Sequence, residues 1–220
     1  MPIQRVFLLL STATAETLIM VLFSTVFSVL LGLPLGVLLY ISEPSAGIKP
    51  RPLVYQVLTR LVNAVRSFPF IILMVILFPL SRIVIGTSIG TKATVVPLSI
   101  AVAPFVARII ESALQDVDAG VIQAARAMGS TTMQIILKVL IPEALPSFIN
   151  GITLTIINLI GYSAMAGVIG GGGLGDLAIR YGYQRFRPEI LAGAVIIILV
   201  LVELIQFIGT KLSQKIAAAR

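Results

Sequence analysis

Three glycine residues in the last third of the chain have a spacing that is associated with phosphate binding. Gly170, Gly172 and Gly175 match the GxGxxG pattern that holds a dinucleotide pyrophosphate at a helix N-terminus. Such a site needs a strand before the glycines and a helix after them, within a βαβ unit. Because a long apolar stretch of helical length precedes these glycines, we interpret them as a flexible turn and not as a nucleotide site.

A second glycine-containing stretch resembles a P-loop only in part. Gly86, Gly90 and Lys92 are too closely spaced for that motif, and Ala93 stands where a Ser or Thr would bind Mg²⁺. The chain also has no Cys and no His, which excludes thiolate and imidazole nucleophiles and the usual zinc sites. We therefore expect no catalytic residue, no metal site and no ATP site in this chain.

Polar side chains recur at helical spacing within one of the long apolar stretches. Asn158, Tyr162 and Met165 fall within about 60° of one face of a helix with 3.6 residues per turn. Polar groups inside such a helix usually face protein or water. The face therefore predicts the lining of a translocation pathway, with the bulky and flexible Met165 as a gate. The alternative is a helix–helix contact in which Asn158 bonds across the interface.

The polar stretch 111–147 contains signals for two helices that are separated by a turn. Asp118 can cap the first helix, and Gly129 suits the left-handed position that follows a helix C-terminus. Ser130 or Thr131 can cap the second helix. The pattern therefore predicts a helix-turn-helix in this loop.

The second of these helices is expected to end near Pro142. The first carries small side chains, including Ala124 and Ala125, which would let it lie close against a partner surface. On pattern alone, the stretch is either such a partner site or an amphipathic elbow that rests on the membrane.

The composition places the elements that position these residues in a membrane. Of the 220 residues, 58% are hydrophobic and only 11% are charged, whereas roughly 25% are charged in an average soluble domain. The mean hydropathy is +1.07, and lipid is the natural solvent for so much apolar surface. The net charge of +7 comes from single basic residues between apolar runs. This distribution indicates contact with lipid headgroups and not with nucleic acid.

Five stretches are long and apolar enough to cross the roughly 30 Å hydrocarbon core of a bilayer. They cover residues 17–41, 58–80, 93–110, 148–169 and 190–208. The sequence therefore predicts one all-α, polytopic membrane domain over residues 1–220, with five transmembrane helices and the connecting loop 111–147.

Prolines predict irregularities in two of these helices. Pro69 predicts a bend in the second, where Arg66 should lie at the cytoplasmic interface or face protein because a lipid-facing Arg is costly. Pro34 predicts a kink in the first. The alternative for this region is close packing of another helix against Gly32 and Gly36.

The basic residues favour one orientation in the membrane. If the loops after the first and third spans lie inside, most of the 16 Lys and Arg residues are cytoplasmic. This orientation places the N-terminus outside and the C-terminus in the cytoplasm. The Arg-rich loop from Arg180 to Arg187 argues the other way.

The stretch around Gly129 closely resembles the signature of the ABC importer permeases, which is Glu-Ala-Ala, three residues, Gly, nine residues, Ile, one residue and Leu-Pro. Gln123-Ala124-Ala125 stands at the start, and Gly129, Val139 and Ile141-Pro142 follow at the same spacing. Gln123 replaces the glutamate and keeps its length but not its charge.

In that family the segment is a cytoplasmic helix-turn-helix that docks into a cleft of a separate ATPase. The resemblance therefore implies the type I ABC importer permease fold, with Ala124, Ala125 and Gly129 facing the partner. It assigns ATPase coupling to a group of residues around the turn, namely Gln123, Ala124, Ala125, Arg126, Met128, Gly129 and Pro142.

Three further motifs resemble the methionine-importer branch of these permeases, over most of the chain. They are Ser67-Phe68-Pro69-Phe70, the stretch 161–167 and the glycine-rich stretch 170–177. This resemblance implies a transport subunit of a bacterial inner membrane that is not itself an enzyme and that moves L- or D-methionine.

The same resemblance implies the partners of such a subunit. They are a second copy of the chain, two cytoplasmic ATPase subunits that bind ATP and Mg²⁺, and a periplasmic or lipid-anchored binding protein that could dock at the glycine turn. Membrane lipid surrounds the assembly. The alternatives are an ABC permease for another amino acid or small organic solute and an ATP-independent secondary transporter. The second alternative lacks support, because the sequence shows neither a clear half-repeat nor a midplane acid or histidine relay.

Overall fold

A computed structural model describes residues 3–45 and 47–218. All regular secondary structure in these residues is helical, which confirms the all-α prediction. The helices of the described chain are α1 Ile3–Ser42, α2 Pro52–Ser67, α3 Phe70–Ile85, α4 Thr91–Gln115, α5 Ala119–Ala127, α6 Thr132–Ile135, α7 Ile141–Glu143, α8 Leu145–Val168, α9 Gly173–Leu177 and α10 Pro188–Ala218. Two π-helical turns, Ile136–Leu140 and Ala178–Tyr183, continue α6 and α9.

Four or five elements of the described chain could cross a membrane. Helices α1, α4, α8 and α10 are each long and apolar enough. Helices α2 and α3 pass the same test only as a pair, and they are bent by 104° relative to each other. The count of five spans therefore stays a prediction.

The break between α2 and α3 lies where the sequence predicted a bend. Phe68 has the extended dihedrals φ −71° and ψ 136°, and Pro69 follows with φ −57° and ψ 128°. A residue before proline is disfavoured in the α region because the proline ring collides with its backbone. The single bent helix that we predicted is therefore two helices joined by an extended residue pair.

Helix α4 lies at the centre of the bundle, where it packs against α1, α3 and α8. In its most apolar 18-residue window 67% of the residues are buried, against 33% in α1 and 11% in α10. The exposed sides of the two outer helices carry large apolar residues such as Leu22, Leu30, Ile196 and Leu199. Because apolar surface of this extent is costly in water, these sides suit contact with lipid.

Two glycines allow α1 to approach α4 closely. A Cβ atom at Gly32 would lie 2.7 Å from Cβ of Val106, and one at Gly36 would lie 2.5 Å from the carbonyl oxygen of Ala107. Any side chain would therefore separate the two backbones. Helix α1 also continues without interruption past Pro34. Close packing, the alternative to a proline kink, is thus what the Gly32–Gly36 spacing provides.

The glycine-rich turn between α8 and α9 is held by side chains of α1. The N–H group of Gly173 donates to Oε2 of Glu16 at 2.7 Å, and that of Leu174 donates to Oγ1 of Thr17 at 2.9 Å. These acceptors pair backbone N–H groups that begin a helix and lack partners within it. The turn is therefore pinned to α1, and not free as its glycine content led us to expect.

Replacing Gly36 with alanine should destabilise the protein, because the new methyl group would collide with the backbone of α4. Overpacking of this kind costs about 1–3 kcal/mol. Gly161→Ala is the matched control, since its Cβ would meet nothing within 4 Å and alanine is favoured over glycine in a helix by roughly 1 kcal/mol. Thermal unfolding in detergent, followed by circular dichroism, compares the two variants. A Gly36→Ala variant that unfolds at or above the wild-type temperature would contradict this account of the packing.

Candidate functional site

The two helices of the predicted helix-turn-helix begin with side-chain caps. Oδ1 of Asp118 accepts a hydrogen bond from the N–H of Gly120 at 2.6 Å and caps α5. Thr131, and not Ser130, caps α6: its Oγ1 accepts from the N–H of Gln134, whose side-chain oxygen in turn accepts from the N–H of Thr131 at 2.8 Å. This reciprocal pair is a capping box, and it sets where the second helix begins.

Gly129 forms the turn between these helices. Its φ is +78°, and its N–H donates to the carbonyl of Arg126 at 2.9 Å. The next residue, Ser130, donates to the carbonyl of Ala125 at 3.1 Å. These two bonds are the Schellman arrangement, which needs a residue that tolerates the left-handed backbone region. The sequence prediction for Gly129 is therefore confirmed.

Pro142 does not end the second helix, contrary to our expectation. It lies within α7, and the helical path continues through α8 because Ala144 donates to Leu140 at 2.8 Å and Phe148 donates to Ala144 at 2.9 Å. Proline lacks an N–H, and its ring displaces the carbonyl four residues earlier. The π-helical turn Ile136–Leu140 accommodates this displacement, so α6, α7 and α8 form one nearly continuous helical run.

The helix-turn-helix presents a small exposed surface. Gln123, Ala124 and Gly129 are exposed, and Met128 is 79% exposed. Ala125 is only 3% exposed and belongs to the main hydrophobic core. Its side chain therefore does not face a partner, as the resemblance implied, but packs α5 against the rest of the chain.

Arg126 ties α5 to the connection between α1 and α2. Its Nη2 donates to the carbonyl of Ile48 at 3.1 Å. A cavity of about 310 Å³ lies beside this bond, and Tyr40, Gln123 and Arg126 contribute to its walls. The candidate coupling surface thus includes part of the α1–α2 connection, which no local sequence signal indicated.

Arg108 forms an ion pair within α4 and a hydrogen bond to α2, just before the helix-turn-helix. Nη1 of Arg108 donates to Oε2 of Glu111 at 2.6 Å, and Nη2 donates to Oδ1 of Asn63 on α2 at 3.1 Å. Glu111 is 3% exposed, so the neighbouring guanidinium compensates a carboxylate that burial would otherwise disfavour. The i, i+3 spacing of Arg108 and Glu111 favours such a pair, whereas no local sequence signal indicates the contact with Asn63.

Two of the three predicted pathway residues lie on one accessible face of α8. Met165 is 45% exposed, and Asn158, which lies seven residues earlier on the same face, is partly exposed. Leu154, Gly161 and Val168 are exposed at the same helical spacing, so they extend this face along the helix. The i, i+7 recurrence of these positions in the sequence could have identified the three additional residues.

Tyr162 lies beside that face, one helical turn after Asn158, and is partly exposed. Its ring stacks on Phe70 of α3, with ring centroids 4.2 Å apart and an interplanar angle of 11°. Both rings line a cavity of about 250 Å³ to which Arg66 also contributes. The ring of Tyr162 therefore contacts α3, and Arg66 lies against protein side chains, as the cost of a lipid-facing charge favours.

The arrangement suits mechanical coupling and solute passage. No group of three or more His, Cys, Asp or Glu side chains in the described residues could hold a metal ion. A capped helix-turn-helix with an exposed surface is instead joined by a continuous helical run to the accessible face of α8. A displacement applied to α5 would therefore be carried into the membrane-spanning bundle.

Comparisons with known proteins agree with this reading. Residues 32–217 match the family described as binding-protein-dependent transport system inner membrane components. The chain is 49% identical over 208 residues to the probable D-methionine transport system permease protein MetI of Vibrio cholerae, covering 94% of this chain and 92% of the relative.

Solved structures show the same fold. A chain of the methionine ABC transporter MetNI, in an inward-facing conformation, superposes with a TM-score of 0.92 at 45% identity and covers 96% of this chain and 97% of its own length. A chain of an amino acid ABC transporter superposes with a TM-score of 0.71 at 22% identity, covering 96% of this chain and 94% of its own. The second likeness concerns the fold alone.

Replacing Gly129 with alanine should loosen the turn between α5 and α6. The Cβ would meet nothing within 4 Å, so the cost is the left-handed backbone itself, roughly 1–2 kcal/mol. Gly129→Asn is the matched variant and should cost less, because asparagine tolerates this conformation. Amide hydrogen exchange of residues 119–135 should become faster in the order wild type, Asn, Ala. Equal exchange in the alanine and asparagine variants would show that backbone strain is not what glycine relieves here.

Proposed function

Because the chain belongs to the family of binding-protein-dependent transport system inner membrane components, we propose that it is the membrane-spanning permease subunit of an ATP-driven methionine importer. It is a multi-pass protein of the inner membrane with the type I ABC permease fold. One observation carries the proposal. The exposed, capped helix-turn-helix around Gly129 occurs in a chain that is 49% identical to a D-methionine permease over 94% of its length.

The chain is a transport subunit, and ATP hydrolysis belongs to a separate ATPase subunit. The exposed residues Gln123, Ala124 and Met128 form the surface that docks into this ATPase, which supplies the sites for ATP and Mg²⁺. Since Gln123 carries no charge, the docking depends on shape, apolar contact and neutral hydrogen bonds. Ala125 and the Arg126–Ile48 bond keep α5 in place behind this surface.

Two copies of the chain enclose the pathway around a two-fold axis. The accessible face of α8, with Asn158 and Met165, supports this arrangement because a polar group such as Asn158 on a membrane helix needs protein or water beside it. Each copy engages one ATPase subunit through its helix-turn-helix. The coupling surface lies in the cytoplasm, with the N-terminus of the chain outside and its C-terminus inside.

ATP binding draws the two ATPase subunits together and displaces the helix-turn-helix of each copy. The helical run from α6 through α8 transmits this displacement to the pathway face. The permease forms no covalent intermediate with its cargo. Its two conformations differ in free energy, and nucleotide binding and hydrolysis on the partner shift the equilibrium between them.

Methionine is favoured as cargo because relatives that are 45–51% identical to this chain carry that function in their names. Another amino acid or a small organic solute remains the alternative. A binding protein, periplasmic or lipid-anchored, delivers the cargo to the outer face, and its own selectivity adds to that of the pathway.

Uptake in proteoliposomes tests the cargo. Vesicles should contain this chain and its ATPase, with the ATPase on the lumenal side and the binding protein outside. They should accumulate labelled L- or D-methionine only when ATP is enclosed in the lumen. Unlabelled methionine should compete, whereas an excess of other amino acids should not. Competition by a different amino acid at lower concentration would reassign the cargo, and uptake without ATP would remove the ABC mechanism.

Ala124→Arg tests the coupling role of α5 in the same vesicles. A large charged side chain on the docking surface should abolish uptake, whereas Ala217→Arg, the same change at an exposed alanine near the end of α10, should leave it intact. Full uptake by both variants would remove the coupling role of α5.

Met165→Ala tests the gate. Removing this side chain should raise ATPase activity in the absence of cargo by roughly fivefold, at the low end of coupling free energies, or make the pathway leak methionine. Leu199→Ala is the control, since Leu199 is an exposed apolar residue on the lipid-facing side of α10, and it should leave the basal activity unchanged. If both variants have the same ATPase activity without cargo and the same low leakage of methionine, a plain helix contact would be favoured over a gate.

A further inference from the structure

A long apolar groove opens between α1, α3 and α4. Its first part has a volume of about 430 Å³ and is lined by Phe27 and Leu31 of α1, Val84 of α3, and Val96 and Ile100 of α4. Helices α1 and α3 both pack on α4 but hardly on each other. The groove is therefore the gap that these two helices leave on the surface of α4.

A second part, of about 440 Å³, continues the groove along α1 and α4. Leu31 and Ile100 line both parts, and the second extends to Leu38 and Pro104. The rise of an α-helix places Pro104 roughly 18 Å from Lys92, at the start of α4. One leaflet of the bilayer contributes about 15 Å of hydrocarbon. The groove is thus as long as one leaflet is deep.

Lys92 lies at the end of this groove and is its single charged residue. It forms no ion pair with any residue in the described ranges. The carboxylates at this end of the molecule are engaged elsewhere: Glu16 accepts from Gly173, Asp176 pairs with Arg180, and Glu189 pairs with Arg187. The exposed ammonium of Lys92 is therefore available to an anion from outside the chain.

We propose that this groove binds a single phospholipid with an anionic headgroup. The headgroup phosphate lies at the Lys92 ammonium, and one acyl chain follows the groove past Leu31 and Ile100 towards Pro104. A basic side chain near the membrane surface attracts such headgroups, and an open apolar groove of leaflet length suits a flexible hydrocarbon chain. The lipid fills the gap between α1 and α3 and so holds α3 in place.

The leaflet follows from the position of the groove. Lys92 begins α4, whereas the helix-turn-helix follows the other end of α4. The headgroup therefore lies in the leaflet opposite the coupling surface, which is the outer leaflet in the proposed orientation. The lipid site itself depends neither on the cargo nor on the ATPase.

A tryptophan reporter tests this site, because the chain contains no Trp. Val84→Trp places the reporter in the groove, where position 84 is 61% exposed, and Leu199→Trp places a control on α10, where position 199 is 59% exposed. Each variant is reconstituted in bilayers that contain brominated phosphatidylglycerol or brominated phosphatidylcholine, and quenching gives their relative binding constant. At Val84→Trp the anionic lipid should bind about fivefold more tightly, which corresponds to roughly 1 kcal/mol for one basic residue.

Substitutions at Lys92 separate the site from ordinary surrounding lipid. Lys92→Gln in the Val84→Trp background should reduce the preference to the value at Leu199→Trp, whereas Lys92→Arg should keep it. Arg82→Gln, at an exposed residue of α3 outside the groove lining, should also keep it. Equal preference at the two reporters, or a preference that Lys92→Gln leaves unchanged, would overturn the proposal. Failure of both brominated lipids to quench Val84→Trp would also overturn it, because it would show that protein covers the groove. If the first reporter does not fold, Ile85→Trp repeats the measurement.

Discussion

The first backbone N–H groups of a helix have no partner within that helix, so each helix that begins in this chain needs hydrogen-bond acceptors from elsewhere. Local side chains supply some of these partners: Asp118 begins α5 and Thr131 begins α6. Distant side chains supply others, as when Glu16 and Thr17 of α1 accept from the N–H groups that begin α9. Such partners therefore fix where α5, α6 and α9 begin, and these helix starts define both the coupling surface and the turn at the opposite end.

The transmission of motion depends on the same hydrogen bonds. At Gly129 the chain reverses within a Schellman turn, and from α6 onward it follows one helical path into α8, despite Pro142. A π-helical turn absorbs the proline without breaking that path. Ala125 anchors the near side of α5 in the core, while Ala124 remains outside. Helix α5 is fixed to the core on one side, and in the proposed assembly it binds the ATPase on the other. A movement of the ATPase would therefore displace α5 together with the helices attached to it, which is what the proposed coupling requires.

Close packing between helices provides much of the stability of the bundle. Small residues let α1 meet α4 at backbone distance, and a hydrogen bond from Arg108 to Asn63 connects α4 to α2. Lipid does not drive apolar helices together as water does, so close packing and interhelical hydrogen bonds carry more of the stability. Helices α1 and α3 do not pack closely against each other, and the groove between them has Lys92 at its end. The proposed phospholipid would complete the structure at that point.

The sequence by itself determined what depends on near neighbours along the chain: the apolar composition, the all-α class, the cap at Asp118, a second cap at Ser130 or Thr131, and the turn at Gly129. These features follow from side-chain chemistry within about four residues, so a local pattern contains them. Only the tertiary structure decided which side of α5 is buried at Ala125, why Gly32 and Gly36 are small, and that Tyr162 stacks on Phe70. The reason is physical: each of these depends on the direction and distance of a second helix, and no local spacing encodes where a neighbour more than a few turns away will lie.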